Sequence, residues 1–401
     1  MRFLIIVQDL RVSGTSEGIV SRSFIAKLRR GYPEIIIDVL YLSKANTPDN
    51  LELLPIDSIT RQIINTKIPF HVKWINRFST RLFNKLYADN YIHKQYAKHI
   101  KKVDHHKYDY IFVRSSGLNH ETILAMHGLP ILKKAIINFH DPYPYPWYDG
   151  KIPNIHKNEF LRLRKMIEVV QQAKACCASA YYMAKDLQYL YASDKYFYTL
   201  PHQFAFEAFD LDKKEYVRKK QAKFQISYHG ALMFGRNIVN VLEAYVQLIH
   251  EDENIAHHTE FVLRVKGDGI TQLKEKYSTI SNIHILDCLD FSNSANEQLY
   301  ESDINIILEN GPYYSNILGG KVPFLEATKN AIFLVSPERS ELRKIVENEF
   351  CIADMHSIED IKMKLQQLIA DQATSKKEIN VFGNYFSNEH FKFLLDQILN
   401  D

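Results

Sequence analysis

Two glycines and a lysine stand directly before an apolar helical pattern in Ile317-Leu-Gly-Gly-Lys-Val-Pro-Phe-Leu-Glu-Ala327. Gly319 and Gly320 leave backbone N–H groups unobstructed and Lys321 adds a cation, which is what a phosphate seeks at a helix start. Glu326, about a turn further on, is a carboxylate able to accept two hydrogen bonds from the vicinal hydroxyls of a ribose. A second run, Tyr228-His-Gly-Ala-Leu-Met-Phe-Gly-Arg-Asn237, follows a strand pattern and opens a helical one. Gly230 permits close ligand approach, and Arg236 suits charge-assisted pairing with a diphosphate. A cation at a helix start is mildly unfavourable, so Arg236 stands against the local rule. Lys266-Gly-Asp-Gly269 adds Lys266 and Gly267 after another strand pattern, though turn chemistry alone explains such a pair equally well.

In the first half, His140 ends an apolar run and precedes Asp141-Pro-Tyr-Pro-Tyr-Pro-Trp147. A histidine at a strand end points into a ligand crevice, and a proline–aromatic loop makes a stiff wall for a sugar. A satisfied buried histidine is the plain alternative. His202 and His229 also stand at strand ends and receive no chemical role. In Ser13-Gly-Thr-Ser-Glu-Gly18, Gly14 and Thr15 either bind an anion or cap the following helix, capping being the commoner use. The run does not fit G-x-G-x-x-G, so no dinucleotide cofactor is expected, and no Asp-x-Asp at a strand end suggests a metal.

These residues need strands and helix starts to hold them. Short apolar runs alternate with longer amphipathic ones, the pattern of parallel strands joined by crossover helices. The expected strands are Phe3–Val7, Ile35–Leu42, Tyr110–Val113, Ala135–Phe139, Ala175–Ala178 and Tyr196–Leu200, then Gln225–Tyr228, Phe261–Val265, Ile283–Leu286, Ile304–Leu308 and Ala331–Val335. The pattern stops between Pro201 and Lys223. The expected division is therefore an α/β domain over 1–203, a charged linker over 204–223, a second α/β domain over 224–385 and a terminal helix in 386–401.

At 401 residues, 46% hydrophobic and 24% charged, the chain is long enough for two cores. A formal net charge of +3 is too small to mark the whole molecule as a nucleic-acid binder. Cys176, Cys177, Cys288 and Cys351 show no C-x-x-C spacing, and the adjacent pair makes a poor bridge, which fits a reducing cytoplasm. The apolar start Met1–Val7 is too short for a signal peptide, and no run approaches the roughly 20 apolar residues of a membrane span.

The order of the glycine loop with Arg236, the turn at Gly267, the Gly319-Gly320-Lys321 loop and Glu326 resembles the donor-binding half of GT-B glycosyltransferases, family 4 in particular. The resemblance implies two Rossmann-like doubly wound domains facing a central cleft, with the terminal helix packed back on the first. It implies a nucleotide-diphosphate sugar as co-substrate, no cofactor, and transfer of a hexosyl group, retaining and metal-independent, to a glycan or lipid-linked acceptor in surface polysaccharide synthesis of bacterial type. Arg236, Lys321 and His140 would be catalytic, the first two at the diphosphate and the last at the donor sugar. Gly14, Thr15, Gly230, Lys266, Gly267, Gly319, Gly320 and Glu326 would bind the donor. Two departures stand out. Asn237 and Asn240 occupy positions near the family's second lysine, and Leu318 replaces a glutamate usual eight positions before Glu326. A noncatalytic nucleotide-sugar-binding subunit and a sugar-nucleotide epimerase of the same fold are the other readings.

One region breaks the even charge balance. Between Arg61 and Lys107 eleven Lys or Arg residues face only Asp89 and Asp104. Within it Lys73, Arg77, Arg81 and Lys85 recur every fourth residue beside Trp74, Phe78, Leu82 and Leu86, giving adjacent basic and apolar stripes on a helix. Such a face suits anionic lipid and an acceptor carried there, at the inner face of the plasma membrane; a solvated face on a core-packed helix is the bland account. RNA is the lesser partner, since no RNA motif accompanies the charge.

Overall fold

A computed structural model describes residues 1–144, 157–191, 194–374 and 380–401. Seven strands form the first sheet: β1 (Arg2–Val7), β2 (Ile36–Ser43), β3 (Ser58–Ile63), β4 (Tyr110–Arg114), β5 (Ala135–Phe139), β6 (Ala175–Ala178) and β7 (Phe197–Thr199). Their spatial order is β3-β2-β1-β4-β5-β6-β7, every pairing parallel. Parallel strands covered by helices on both faces read as continuous apolar runs, and β1, β4 and β5 do so with nearly every residue buried. The sheet changes direction at β1 and β4, where ligands of doubly wound sheets collect.

The second sheet holds β8 (Phe224–Leu232), β9 (Thr259–Gly267), β10 (Ile283–Asp287), β11 (Ile304–Leu308), β13 (Ala331–Ser336) and β15 (Ile352–Asp354) in the order β10-β9-β8-β11-β13-β15, again all parallel. A two-residue ladder, β12 (Tyr314–Ser315) with β14 (Arg339–Ser340), lies outside it. Its core gathers Ile226, Tyr228, Phe261, Ile306 and Phe333 from the strands with Leu242, Tyr245 and Leu365 from the helices. The turning point is β8 and β11.

The expected strands form. Within the two large sheets two others do not announce themselves: β3 is a half-exposed edge strand, Ser-Ile-Thr-Arg-Gln-Ile, and β15 is three residues long. Edge strands are buried on fewer sides and need no apolar run.

By contacts the chain divides at Phe209 and Asp210, and Ser387–Asp401 belongs with the first unit. The helix Asn388–Leu399 buries Phe391, Leu395, Ile398 and Leu399, the spacing of one helical face. Phe391 meets Phe24 edge to face at 6.0 Å, and Lys27 Nζ donates to Asn388 Oδ1 at 2.6 Å.

The stretch expected as a linker is bound down over its second half. Arg218 pairs with Glu260 on β9 at 2.7 Å, Lys219 with Glu301 at 2.7 Å, and Lys220 with Asp303 at 2.8 Å. The lysines and arginine that read as a solvated run match carboxylates at the amino ends of β9 and β11. Sequence shows the charge of this arm but not its partners.

Candidate functional site

The loop that leaves β8 bends where Phe234 and Gly235 take φ of +57° and +75°. A Cβ on Gly235 would lie 2.7 Å from the Gly311 carbonyl oxygen, so this position requires glycine. The loops after β8 and β11 therefore abut, joined by the Gly311 N–H donating to the Phe234 carbonyl at 3.2 Å. Arg236 turns into this junction. Its Nε donates to Asn310 Oδ1 at 3.0 Å and its Nη1 to the Ala231 carbonyl at 3.1 Å.

Lys321 reaches the same place from the far side of the sequence. Its Nζ donates to the His229 carbonyl at 2.6 Å and lies 4.3 Å from the Tyr228 ring centroid. Gly230 makes room for it: a Cβ there would stand 2.6 Å from the ammonium nitrogen. Burial, then the neighbouring Arg236 charge, pushes the Lys321 ammonium down to about 7. Neither cation has a carboxylate partner among the described residues. The buried acid following β11, Glu309, does not supply one, because burial raises its carboxyl to about 8 and keeps it protonated at neutral pH. Two cations crowded without an acid lose electrostatic energy when an anion arrives.

Around this pair the other expected residues fall as follows. Gly267, with φ +135°, would place a Cβ 2.6 Å from the Leu232 carbonyl, so the glycine lets the ends of β8 and β9 approach, and Lys266 beside it is exposed. Gly319 keeps negative φ, and a Cβ on it would make only ordinary contact with Val322. Glu326 is half-buried on the helix Val322–Thr328 and pairs with Lys329 at 2.9 Å. Leu318 is fully buried. His229 is fixed by its ring, Nδ1 against Ser294 Oγ at 2.8 Å.

Three residues escaped the sequence reading: Tyr228, Asn310 and Glu309. For Glu309 and Asn310 the signal was position, since polar groups immediately after a central strand at a turning point face the ligand side, whereas Tyr228 lies within β8 and carries no such mark.

In the first unit a different cluster forms at the ends of β4 to β7. Arg114 is 3% exposed, stacked on Phe24 at 4.6 Å and donating through Nε to Ser21 Oγ at 3.3 Å. His140 packs on His202 with ring centroids 5.4 Å apart, and its Nε2 has no partner among the described residues. Burial, then Arg114, His202 and His120, holds His140 neutral well below the ordinary histidine range. His202 and His120 are likewise depressed by burial, to about 3 and about 4. Of the proline–aromatic loop, positions 145–147 lie outside the described residues.

Thr15 is occupied as an N-cap: its oxygen accepts from the Gly18 N–H at 3.4 Å and its hydroxyl donates to Asp9 at 3.0 Å. Asp9 is itself paired with Arg11 at 2.6 Å. Gly14 takes φ +88° with open space around it.

No family model matches the chain, and no curated protein matches it. Solved structures do. A glycosyltransferase from Rickettsia africae ESF-5 superposes with a TM-score of 0.64 at 15% identity, over 99% of this chain and 97% of that one. An α,α-trehalose-phosphate synthase (UDP-forming) from Burkholderia vietnamiensis does so at 0.66 and 8%, over 100% and 99%. A UDP-GlcNAc 2-epimerase from Neisseria meningitidis, bound to UDP-GlcNAc, follows at 0.51 and 10%, over the whole of both chains. The chain has the GT-B fold. The narrower likeness to family 4 rests on the motif residues alone.

Proposed function

We propose that the protein is a glycosyltransferase that moves a sugar from a nucleotide-diphosphate donor to a hydroxyl of a glycan or lipid-linked acceptor. The observation that carries this reading is the convergence of Lys321 and Arg236, from segments far apart in sequence, on the His229 and Ala231 carbonyls at the turning point of the second sheet, with no carboxylate partner for either among the described residues. In the transfer the sugar C1–O bond breaks, its electron pair stays on the β-phosphate oxygen, and the acceptor oxygen bonds to C1 as its proton leaves. The growing charge on the diphosphate is what two fixed cations stabilise. Glu326 binds the ribose hydroxyls and His140, kept neutral, contacts the donor sugar as donor or acceptor of a hydrogen bond. Retention of configuration at C1 and a role in surface polysaccharide synthesis belong to the same proposal.

Thermal stabilisation of the purified protein by UDP-, GDP-, ADP- and CMP-sugars tests it. UDP-sugars come first because two of the structural neighbours are UDP-dependent by name. A selective rise in Tm, lost in Lys321→Ala and Arg236→Ala, supports the donor site; no rise with any donor sinks it.

An epimerase is the second reading, favoured by the Neisseria neighbour and by Leu318, which puts an apolar side chain where a sugar-facing acid is usual. Proton NMR of donor plus protein without acceptor separates the two, since only an epimerase inverts a sugar carbon there.

A further inference from the structure

The helix Phe70–Phe83 turns only Val72 and Ser79 fully into the protein. Phe70, Trp74, Phe78 and Leu82, four residues apart, are 83%, 55%, 50% and 68% exposed. Over the roughly 18 Å that twelve residues of helix span, these side chains form one apolar stripe. Lys73, Arg77 and Arg81 lie exposed along its flank, and Lys85 follows just beyond the helix.

No Asp or Glu occurs from Arg61 to Ala88. Asp89, the next acid along the chain, and Glu159, beside Asn158, both pair with Arg162, at 2.8 and 3.4 Å. Between this helix and the start of the helix Lys157–Gln172 an open surface cavity of about 480 Å³ is lined by Asn76, Arg77, Thr80, Arg81, Lys157 and Asn158. Its lining is three cations and three neutral polar groups. Asn76 Oδ1 already accepts from the Ala88 N–H at 2.9 Å, so what Asn76 still offers is its NH₂ donors.

We propose that this face docks on anionic phospholipid, a headgroup phosphate entering the cavity and the Phe70–Leu82 stripe lying in the interfacial layer. A cationic polar cavity beside an apolar stripe matches the two layers of such a surface, phosphate above acyl chain. A free phosphate has no use for the stripe, and a second copy of the chain would bring like charges face to face. Docking needs no transfer reaction, so its failure and that of the glycosyltransferase reading are separate results.

Trp74 and Trp147 are the two tryptophans, and Trp147→Phe leaves Trp74 as the reporter in the full chain. The variant is mixed, without donor, with vesicles of phosphatidylcholine alone or with added phosphatidylglycerol. We expect a blue shift of emission and co-sedimentation only with the anionic vesicles. The triple change Arg77→Ala, Arg81→Ala, Lys157→Ala should lower partitioning by about 100-fold, from three cations near the surface. These side chains are exposed, and an unchanged Tm confirms that the triple variant folds. Equal partitioning into both vesicle types, none into either, or a triple variant that binds as the parent does would overturn the proposal. So would complete release by inorganic phosphate, or a lipid-free dimer that shields Trp74 from quencher.

Discussion

At the strand ends of the first sheet, Arg114 is sealed behind an aromatic ring and three neutral histidines; at those of the second, Lys321 and Arg236 lie half-buried and side by side. Both arrangements hold cations without an acidic partner among the described residues, yet their surroundings differ. Arg114 is a packed cation in a core, and burial first, with Arg114 second for His140 and His202, keeps its histidine neighbours neutral. Lys321 donates to the His229 carbonyl, and Arg236 to the Ala231 carbonyl and the Asn310 amide oxygen, none of which carries charge, so the two stay electrostatically in debt until an anion binds. We read Arg114 as a cation of the scaffold, and Lys321 with Arg236, held only by neutral acceptors, as the proposed donor site.

The sharpest way to break this comparison is to remove one cation from each cluster. Arg236→Ala or Lys321→Ala should lower kcat/KM about 10²–10³-fold, as loss of one group stabilising transition-state charge does, with no loss of Tm. Arg114→Ala should do the reverse, costing about 3 kcal/mol of stability through the cavity it leaves. If both changes act mainly on Tm, the distinction fails.

Acid comes next. His120, His140 and His202 take up protons readily only when unfolded, so the unfolded state gains stability as pH falls below 6.5. Each histidine should cost the fold about 2 kcal/mol by pH 5. Replacing His202 by Asn should flatten the acid limb of the first unit's stability, followed by hydrogen exchange, and leave the second unit's alone.

Lys321 works in the alkaline window. Its folded value, about 7, lies below the unfolded 10.5, so its burial cost is complete below pH 7 and is relieved as pH rises toward 10.5. Lys321→Met should therefore stabilise the ligand-free protein by about 2 kcal/mol at pH 6, an advantage that shrinks by pH 10 in paired melts. A binding residue that costs stability is the signature sought.

Two smaller effects refine the picture. Gly230→Ala pushes on the Lys321 ammonium and should weaken donor binding about 10-fold, read by titration calorimetry, since the tip of a lysine yields to the new methyl. Thr15→Ala removes an N-cap, with an expected loss of about 1 kcal/mol and unchanged donor affinity.

The sequence made the centre of each sheet legible and its margins obscure. Runs such as Phe3–Val7 and Ile304–Leu308 are apolar because both faces are covered, whereas β3 and β15 lie at edges and carry no such mark. Lys321 stood out because two glycines precede it at a helix start, and Arg236 because a cation at a helix start runs against the dipole. Asn310 did not, since its value lies in a contact across 74 positions. The role of Thr15 as a cap was visible as one of two uses, and only the Gly18 bond shows it engaged. In the stretch expected as a linker, 204–223, the charge was plain and its partners were not, because charge on a strand-free stretch looks the same in solvent as against complementary carboxylates.

The helix Asn388–Leu399 makes the second unit an insertion within the first, and this orders events during synthesis. Asp210–Phe386 emerges from the ribosome with every strand of its sheet present and can close its own core. The first unit, begun earlier, waits through all of that translation with Phe24 and Lys27 uncovered, until Phe391 and Asn388 arrive to meet them. The half of the protein that is made first is thus the half that is finished last.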